Sequence, residues 1–270
     1  FTKTAINLDE ILVKRNRDKV SHGIYFMVIM ALVLWSVNVT IIEDTDWERM
    51  GSLGEVLASA GRFIGVDFSL IPNLIEPAIE TFMISVLGTL LGVIICIPAT
   101  WFGALNITPF KPITYPIGRF MMTISRSIHE IVWALFFVAV LGLGALPGIF
   151  AIAVRSVGFI AKMSAEAIED IKPGPIEAIR ATGANRFQVL LYAILPQVIP
   201  QVIGVILFEW EINIRRSAIL GLVGAGGLGL VFFRQMNTYN YHGVTTVILA
   251  ILVIIIFGEI VSHYSRKRMI

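Results

Sequence analysis

Charge is scarce in this chain. Asp, Glu, Lys and Arg make up only 15% of its 270 residues, against 56% hydrophobic, whereas soluble domains carry about a quarter charged. That deficit excludes an ordinary soluble domain and implies a polytopic membrane protein. Cysteine is almost missing. Cys96 stands alone in an apolar run, which excludes a disulfide framework and a thiolate metal site. His22, His129, His242 and His263 are too scattered to make a metal site. No glycine–lysine phosphate loop occurs, so no cofactor is expected in this chain, and any ATP is hydrolysed elsewhere. The opening, FTKTAINLDEILVKRNRDK, lacks the short apolar core and cleavage site expected of a signal peptide.

What is present is a series of long apolar runs. A crossing helix needs about 20 mostly apolar residues. Val20–Ile42 and Thr81–Phe110 contain no Asp, Glu, Lys or Arg and read as spans 1 and 2. The cluster GLGALPG at Gly142–Gly148 reads as a turn, which makes Ile117–Leu141 span 3 and Leu146–Ile168 span 4. Gln188–Phe208 is the core of span 5 and Gly243–His263 the last span. Six spans with both termini inside place fourteen of the 21 basic residues on the cytoplasmic face, as the positive-inside rule favours. The outer face then holds Arg49, Arg62, Arg215, Arg216 and Arg234. Reading 131–154 as a single span spoils this bias. Two segments are not expected to cross. Leu53–Val66 is amphipathic at helical spacing and suits an interfacial helix. Ser217–Phe233, with five glycines, suits a short or re-entrant helix packed against protein. The chain thus divides into a cytoplasmic segment (1–22), a first span with an external interfacial helix (23–74), and a transmembrane core (75–270).

That core interrupts itself at EAIRATGANRFQVLLYAILPQ, Glu177–Gln197. The preceding IKPGP stops span 4, because Pro173 biases Lys172 away from helix and Gly174 permits a turn. Pro175 fits the first turn of a new helix, with Glu177 near its N-terminus. Gly183 is a natural stop. Asn185 then caps a second helix, with Gln188 at capping-box spacing, and Pro196 and Pro200 should bend it as it enters the membrane. The expected result is a cytoplasmic helical elbow over 174–187, continuous with a spanning helix. It is either a plain loop helix or a docking element for a soluble partner. A DNA-binding helix-turn-helix is discounted, because the second helix turns apolar from Val189 and local charge is balanced, so nucleic acid is not an expected partner.

The elbow resembles the EAA signature of ABC-importer permease subunits. Glu177, Ala178, Gly183, Leu195 and Pro196 match at the family's spacing. Ile179 stands where the motif usually has a second Ala, and Ala193 where it has Ile. A wider resemblance over 75–263, carried by SRSIHEIVWALFF, MSAEAIEDI and RRSAILGLVGAGGLG, is to phosphonate/phosphite-type importer permeases, with methionine-type permeases as the nearest rival and a phosphate-type importer as a further alternative. The resemblance implies an all-α helical bundle of about six spans with the type I importer permease fold, in the bacterial plasma membrane. It implies a homodimer, two ATP-binding cassette subunits that use ATP and Mg, and an external binding protein that delivers the solute. Pro175, Glu177, Ala178, Arg180, Ala181, Gly183 and Ala184 would then meet the ATPase.

Ionisable residues inside a membrane are expensive and usually face the bundle interior. Candidates for a translocation path are Arg126, His129, Glu130, Arg155, Ser156, Glu209, Arg215, Arg216 and Ser217, with Ser125 and Ser127 as further hydroxyls. Arg126 and Glu130 are four apart and are expected to pair. A pore-lining role for Arg126 or His129 is the second reading. Arg155 is a partner for Glu130 or for Glu209. Arg215 and Arg216 either snorkel at the outer surface or pair with Glu211. GAGGLG matches G-x-G-x-x-G, but no acid follows between Glu211 and Glu259 and the flanks are apolar, so nucleotide binding is rejected. Gly221, Gly224, Gly226, Gly227 and Gly229 are expected to serve close helix packing or a gate. The alternative is that their amides attract an entering oxyanion. Rivals from other classes are an intramembrane enzyme using Arg126, His129 and Glu130 on a lipid phosphate, and a channel. Neither would need the elbow.

Overall fold

The computed structural model describes residues 8–44 and 51–269, all helix, turn and loop, with no strand among them. Arg49 therefore lies outside the described residues. The chain forms two compact units that divide between Gly61 and Arg62.

In the first unit, α1 (Leu8–Val37) runs on through a π-helical segment, Asn38–Glu43. Tyr25, Met27 and Trp35 are among the large apolar side chains it leaves exposed. A helix apolar all round is at home in lipid. α2 (Leu53–Gly61) opens on a reciprocal cap: the Glu55 amide donates to Ser52 Oγ at 3.4 Å and the Ser52 amide to Glu55 Oε2 at 3.0 Å. It ends at Gly61, short of the expected Val66.

In the second unit, residues 63–67 are not helical because they are tied to α11 (Tyr241–Met269). Thr245 Oγ1 donates to the Phe63 carbonyl at 2.7 Å, and the Asp67 amide to Thr246 Oγ1 at 2.8 Å. α3 (Ile71–Gly103) starts ten residues before the expected span and stops seven short of its expected end. Past Gly103 the chain turns, with the Leu105 amide donating to Glu169 Oε1 at 2.8 Å and Asn106 Nδ2 to the Ile168 carbonyl at 3.0 Å. At 33 residues, and 1.5 Å per residue, α3 is about 50 Å long, so it must tilt to fit a bilayer.

Span 3 is not one rod. α4 (Lys111–Ser127) and α5 (Glu130–Leu141) meet at 87°. His129 adopts extended backbone and caps α5, accepting from the Ile131 amide at Nδ1. The glycine turn then folds as expected: Gly142 and Gly144 have φ of +87° and +141°, and α6 (Ala145–Glu169) follows. Among the described residues five helical segments are long and apolar enough to cross a membrane, or six if α4 and α5 count as one broken span.

α6 is the hub of this unit and packs on α3, α4, α5 and α9. Helices in lipid associate by close approach of small residues, and α6 presents Ala151, Ala153, Ser156, Gly158, Ala161 and Ala165, all buried. Gly88 of α3 sits so near that an added Cβ would stand 2.7 Å from Ile152 Cγ2. At Gly92 it would stand 2.9 Å from Ser156 Cβ.

Candidate functional site

The elbow forms as its sequence dictates. α7 (Pro173–Ala181) has its prolines in the first turn, and Gly183 follows at φ +82°, a conformation that favours glycine. The box is complete: the Gln188 amide donates to Asn185 Oδ1 at 2.9 Å, and the Asn185 amide to Gln188 Oε1 at 2.8 Å. α8 (Arg186–Val189) then passes through a π segment, Leu190–Ile194, into α9 (Leu195–Leu220). Pro196 lacks an amide proton, and its ring crowds the carbonyl four residues back. That carbonyl belongs to Tyr192, inside the π segment, so the helix widens where the proline would otherwise break it. Ile176 and Ile179 of α7 are half-buried, Ile176 packing with Ile171 and Leu190 on the core, while Glu177, Ala178, Arg180 and Ala181 face outward. Pro175 and Gly183 are exposed and Ala184 is half-buried.

The intramembrane charges gather differently from expectation. Arg126 and Glu130 do not pair, because the break at Ile128–His129 destroys the helical four-residue relation. Arg126 has no ion-pair partner among the described residues, and His129 is largely exposed, with Nε2 3.8 Å from Glu130. Glu130 instead faces Arg216 Nε at 3.3 Å and Arg155 Nε at 3.7 Å. Arg216 Nη1 also donates to Glu209 Oε1 at 2.7 Å and to Asn213 Oδ1 at 2.9 Å. Ser156 Oγ donates to Glu209 Oε1 at 3.2 Å, and Asn213 Nδ2 donates to both Thr89 Oγ1 and Ser156 Oγ at 2.8 Å. Glu209, Asn213 and Ser156 are wholly buried. Two acids and two arginines from α5, α6 and α9 thus neutralise one another inside the bundle, as buried charge requires. Arg216 is a structural member of this junction and does not snorkel. Asn213 and Thr89 were not anticipated, although Glu209, Asn213 and Arg216 fall at i, i+4 and i+7 on one helix face.

Arg215 does meet Glu211, at 3.1 Å, but Arg266 joins the same carboxylate at 2.6 Å. The charge tally put these two arginines on opposite faces. Side chains sharing one carboxylate cannot be separated by a hydrocarbon core about 30 Å thick, so that part of the tally is corrected.

Ser217 belongs to α9, not to a separate helix. It is buried and donates to the Ile214 carbonyl at 2.8 Å. The chain breaks at a 3-10 turn, Gly221–Val223, and resumes as α10 (Gly227–Asn237). The glycines serve close contact: added Cβ atoms at Gly221 and Gly229 would strike backbone, and the Gly144 amide donates to the Gly224 carbonyl at 3.0 Å. Gly226 and Gly227 have positive φ. The Gly227 amide donates to Glu80 Oε2 at 3.0 Å and the Leu228 amide to Thr81 Oγ1 at 2.8 Å. A carboxylate of the chain itself therefore occupies the N-terminus of α10, and those amides are not offered to an entering anion.

No group of three or more metal-ligating side chains occurs among the described residues. Glu130 is engaged by Arg155 and Arg216, whereas Arg126 pairs with no acid among the described residues.

Comparison with known proteins agrees with the fold. A phosphite transport system permease protein, PtxC of Stutzerimonas stutzeri, is 37% identical over 91% of this chain and 87% of its own length. A phosphate-import permease protein, PhnE of Mycolicibacterium smegmatis, is 34% identical over 90% of this chain and 44% of its own length. The membrane subunit in inward-facing structures of the MetNI methionine ABC transporter superposes with a TM-score of 0.66 over 76% of this chain and all of that one, at 24% identity, which establishes a shared fold. Residues 97–270 match the family described as binding-protein-dependent transport system inner membrane component. The chain belongs to that family and is a membrane-spanning ABC-importer permease subunit, a transport component rather than an enzyme.

Proposed function

We propose that this subunit imports a phosphorus oxyanion, such as phosphite, a phosphonate or phosphate, across the bacterial plasma membrane. Two copies pair and line the path, an external binding protein delivers the solute, and two ATPase subunits supply the stroke with ATP and Mg. The elbow is the coupling element and lies on the cytoplasmic side together with both termini. Glu177, Ala178, Arg180, Ala181 and Gly183 meet the ATPase, with Pro175 and Ala184 framing them. The observation that carries this reading is the outward face of α7, joined by the Gly183 turn and the Asn185–Gln188 capping box to α8, which runs through the π segment into α9. Force applied to α7 passes through that short turn into α8 and α9, the helix that carries Glu209. The solute class is supported by the names of the relatives, one a phosphite and one a phosphate permease.

The test is reconstitution with the ATPase and binding protein encoded beside it. ATP-dependent uptake of phosphite, methylphosphonate or phosphate into proteoliposomes is expected, and uptake of methionine in their place would overturn the solute assignment.

A further inference from the structure

A cavity of about 410 Å³ opens between α4 and α6, lined by Arg119, Met122, Thr123, Arg126, Ser127, Arg155 and Lys162. Four of these side chains are cations and none is an acid. The two helices run antiparallel. Arg119 forks onto Glu169 at 2.7 and 2.9 Å near the elbow end of α6, and the Arg126 stem crosses Gly158, where an added Cβ would be 2.7 Å from Arg126 Cγ. The cations consequently form a ladder from the middle of α6 towards the elbow, in the order Arg155, Arg126, Lys162, Arg119.

Their neutralisation is uneven. Arg119 is ion-paired with Glu169, though its buried Nε has no hydrogen-bond partner, and Lys162 reaches Glu166 at 3.5 Å. Arg155 has only the 3.7 Å approach of Glu130, and its buried Nη1 has no hydrogen-bond partner. Arg126 has no partner among the described residues. An intramembrane arginine without a partner faces a water-filled cavity or something anionic. The hydroxyls do not compete for that role, since Thr123 donates to the Arg119 carbonyl and Ser127 to the Thr123 carbonyl, each at 2.8 Å.

We infer that this cavity is a transit site for a tetrahedral oxyanion, held by the guanidinium groups of Arg126 and Arg155. The inference rests on the import reading above and adds to it a solute site in the permease itself. Guanidinium forks match phosphate-like oxygens two at a time. Arg126, without an acid, and Arg155, which shares Glu130 with Arg216, lie towards the middle of α6, and the ion-paired Lys162 and Arg119 towards the elbow, so attraction weakens in that direction. A phospholipid headgroup has the same anionic chemistry, and the test separates the two sources.

The full transporter is reconstituted in phosphatidylcholine alone and in phosphatidylcholine with phosphatidylglycerol. Binding of radiolabelled phosphite and inorganic phosphate is measured by equilibrium dialysis, and ATP-driven uptake in parallel. Arg126→Gln is expected to lower both at least tenfold in either lipid, with Arg126→Lys falling between it and the unaltered protein, because lysine keeps the charge and loses the fork. Co-elution with the ATPase checks assembly. If Arg126→Gln does not assemble, Thr123→Glu, which sets a carboxylate in the lining, is expected to produce the same loss. Unchanged binding and uptake in the assembled variants overturns the inference. So does loss of bound phosphatidylglycerol with uptake intact, which would make this a lipid site. No uptake by the unaltered transporter would overturn the import reading itself, and the inference with it.

Discussion

In the elbow, the hydrogen bonds that set the geometry join residues three apart, Asn185 and Gln188. In the polar junction they join Asn213 to Thr89, 124 residues away, and Ser156 to Glu209, 53 residues away. The elbow leaves Glu177 and Arg180 exposed. The junction buries two acids and two arginines, which must satisfy one another. A lever needs local stiffness and a free face. A bundle that changes shape in lipid needs charges whose partners sit on different helices, so that moving one helix disturbs the rest.

The largest effect should come from breaking the junction. Arg216→Met leaves Glu209 buried against no cation at hydrogen-bonding distance, and removing one member of a buried pair costs about 3–5 kcal/mol. Thermal unfolding in detergent should drop sharply, and Glu209→Met added to Arg216→Met should recover most of the loss, since Glu130 and Arg155 then remain balanced. A double variant as unstable as the single one would mean that the junction is held by packing and not by charge.

Next comes the contact that brings the junction's helices together. Gly88→Val forces a side chain against Ile152 and should destabilise by about 1–3 kcal/mol, read as a lower unfolding temperature with no change in the elbow's affinity for the ATPase.

The elbow should respond in the opposite sense. Gly183→Val places a β-branched residue at φ +82°, at a local cost of about 1–2 kcal/mol. The unfolding temperature of the bundle should barely move, while solute-stimulated ATPase activity of the assembled transporter should fall at least tenfold. An equal loss of bundle stability would erase the contrast between the two regions. The smallest effect is expected from Asn185→Ala, which removes half of the capping box at about 1 kcal/mol and should weaken coupling a few-fold in the same assay.

Much of the architecture was legible because its signals are short-range. Pro173, Gly174 and Pro175 form the first turn of α7, Gly183 follows its end, and Asn185 with Gln188 starts the next helix. The turn at Gly142–Gly144 was visible for the same reason. The bend at His129 was not. Nothing in SRSIHEI forbids a continuous helix, and the 87° angle arises where α4 and α5 each pack on α6. The junction was half visible: its members were recognisable as ionisable residues in apolar runs, but pairing Arg126 with Glu130 assumed a helix that the bend interrupts. Arg215 and Arg266 were assigned to opposite faces by counting, which cannot register that both reach Glu211.

The sequence by itself determined that this chain lives in lipid, that it is helical, and that an elbow interrupts it before span 5, because hydropathy, proline and glycine act within a few residues of themselves. Only the tertiary structure decided which charges neutralise one another, which amides of the glycine run Glu80 and Thr81 occupy, and which arginine is left without a partner. Those are questions of distance between helices far apart in sequence, and in a low-dielectric interior distance and burial set the energy of a charge.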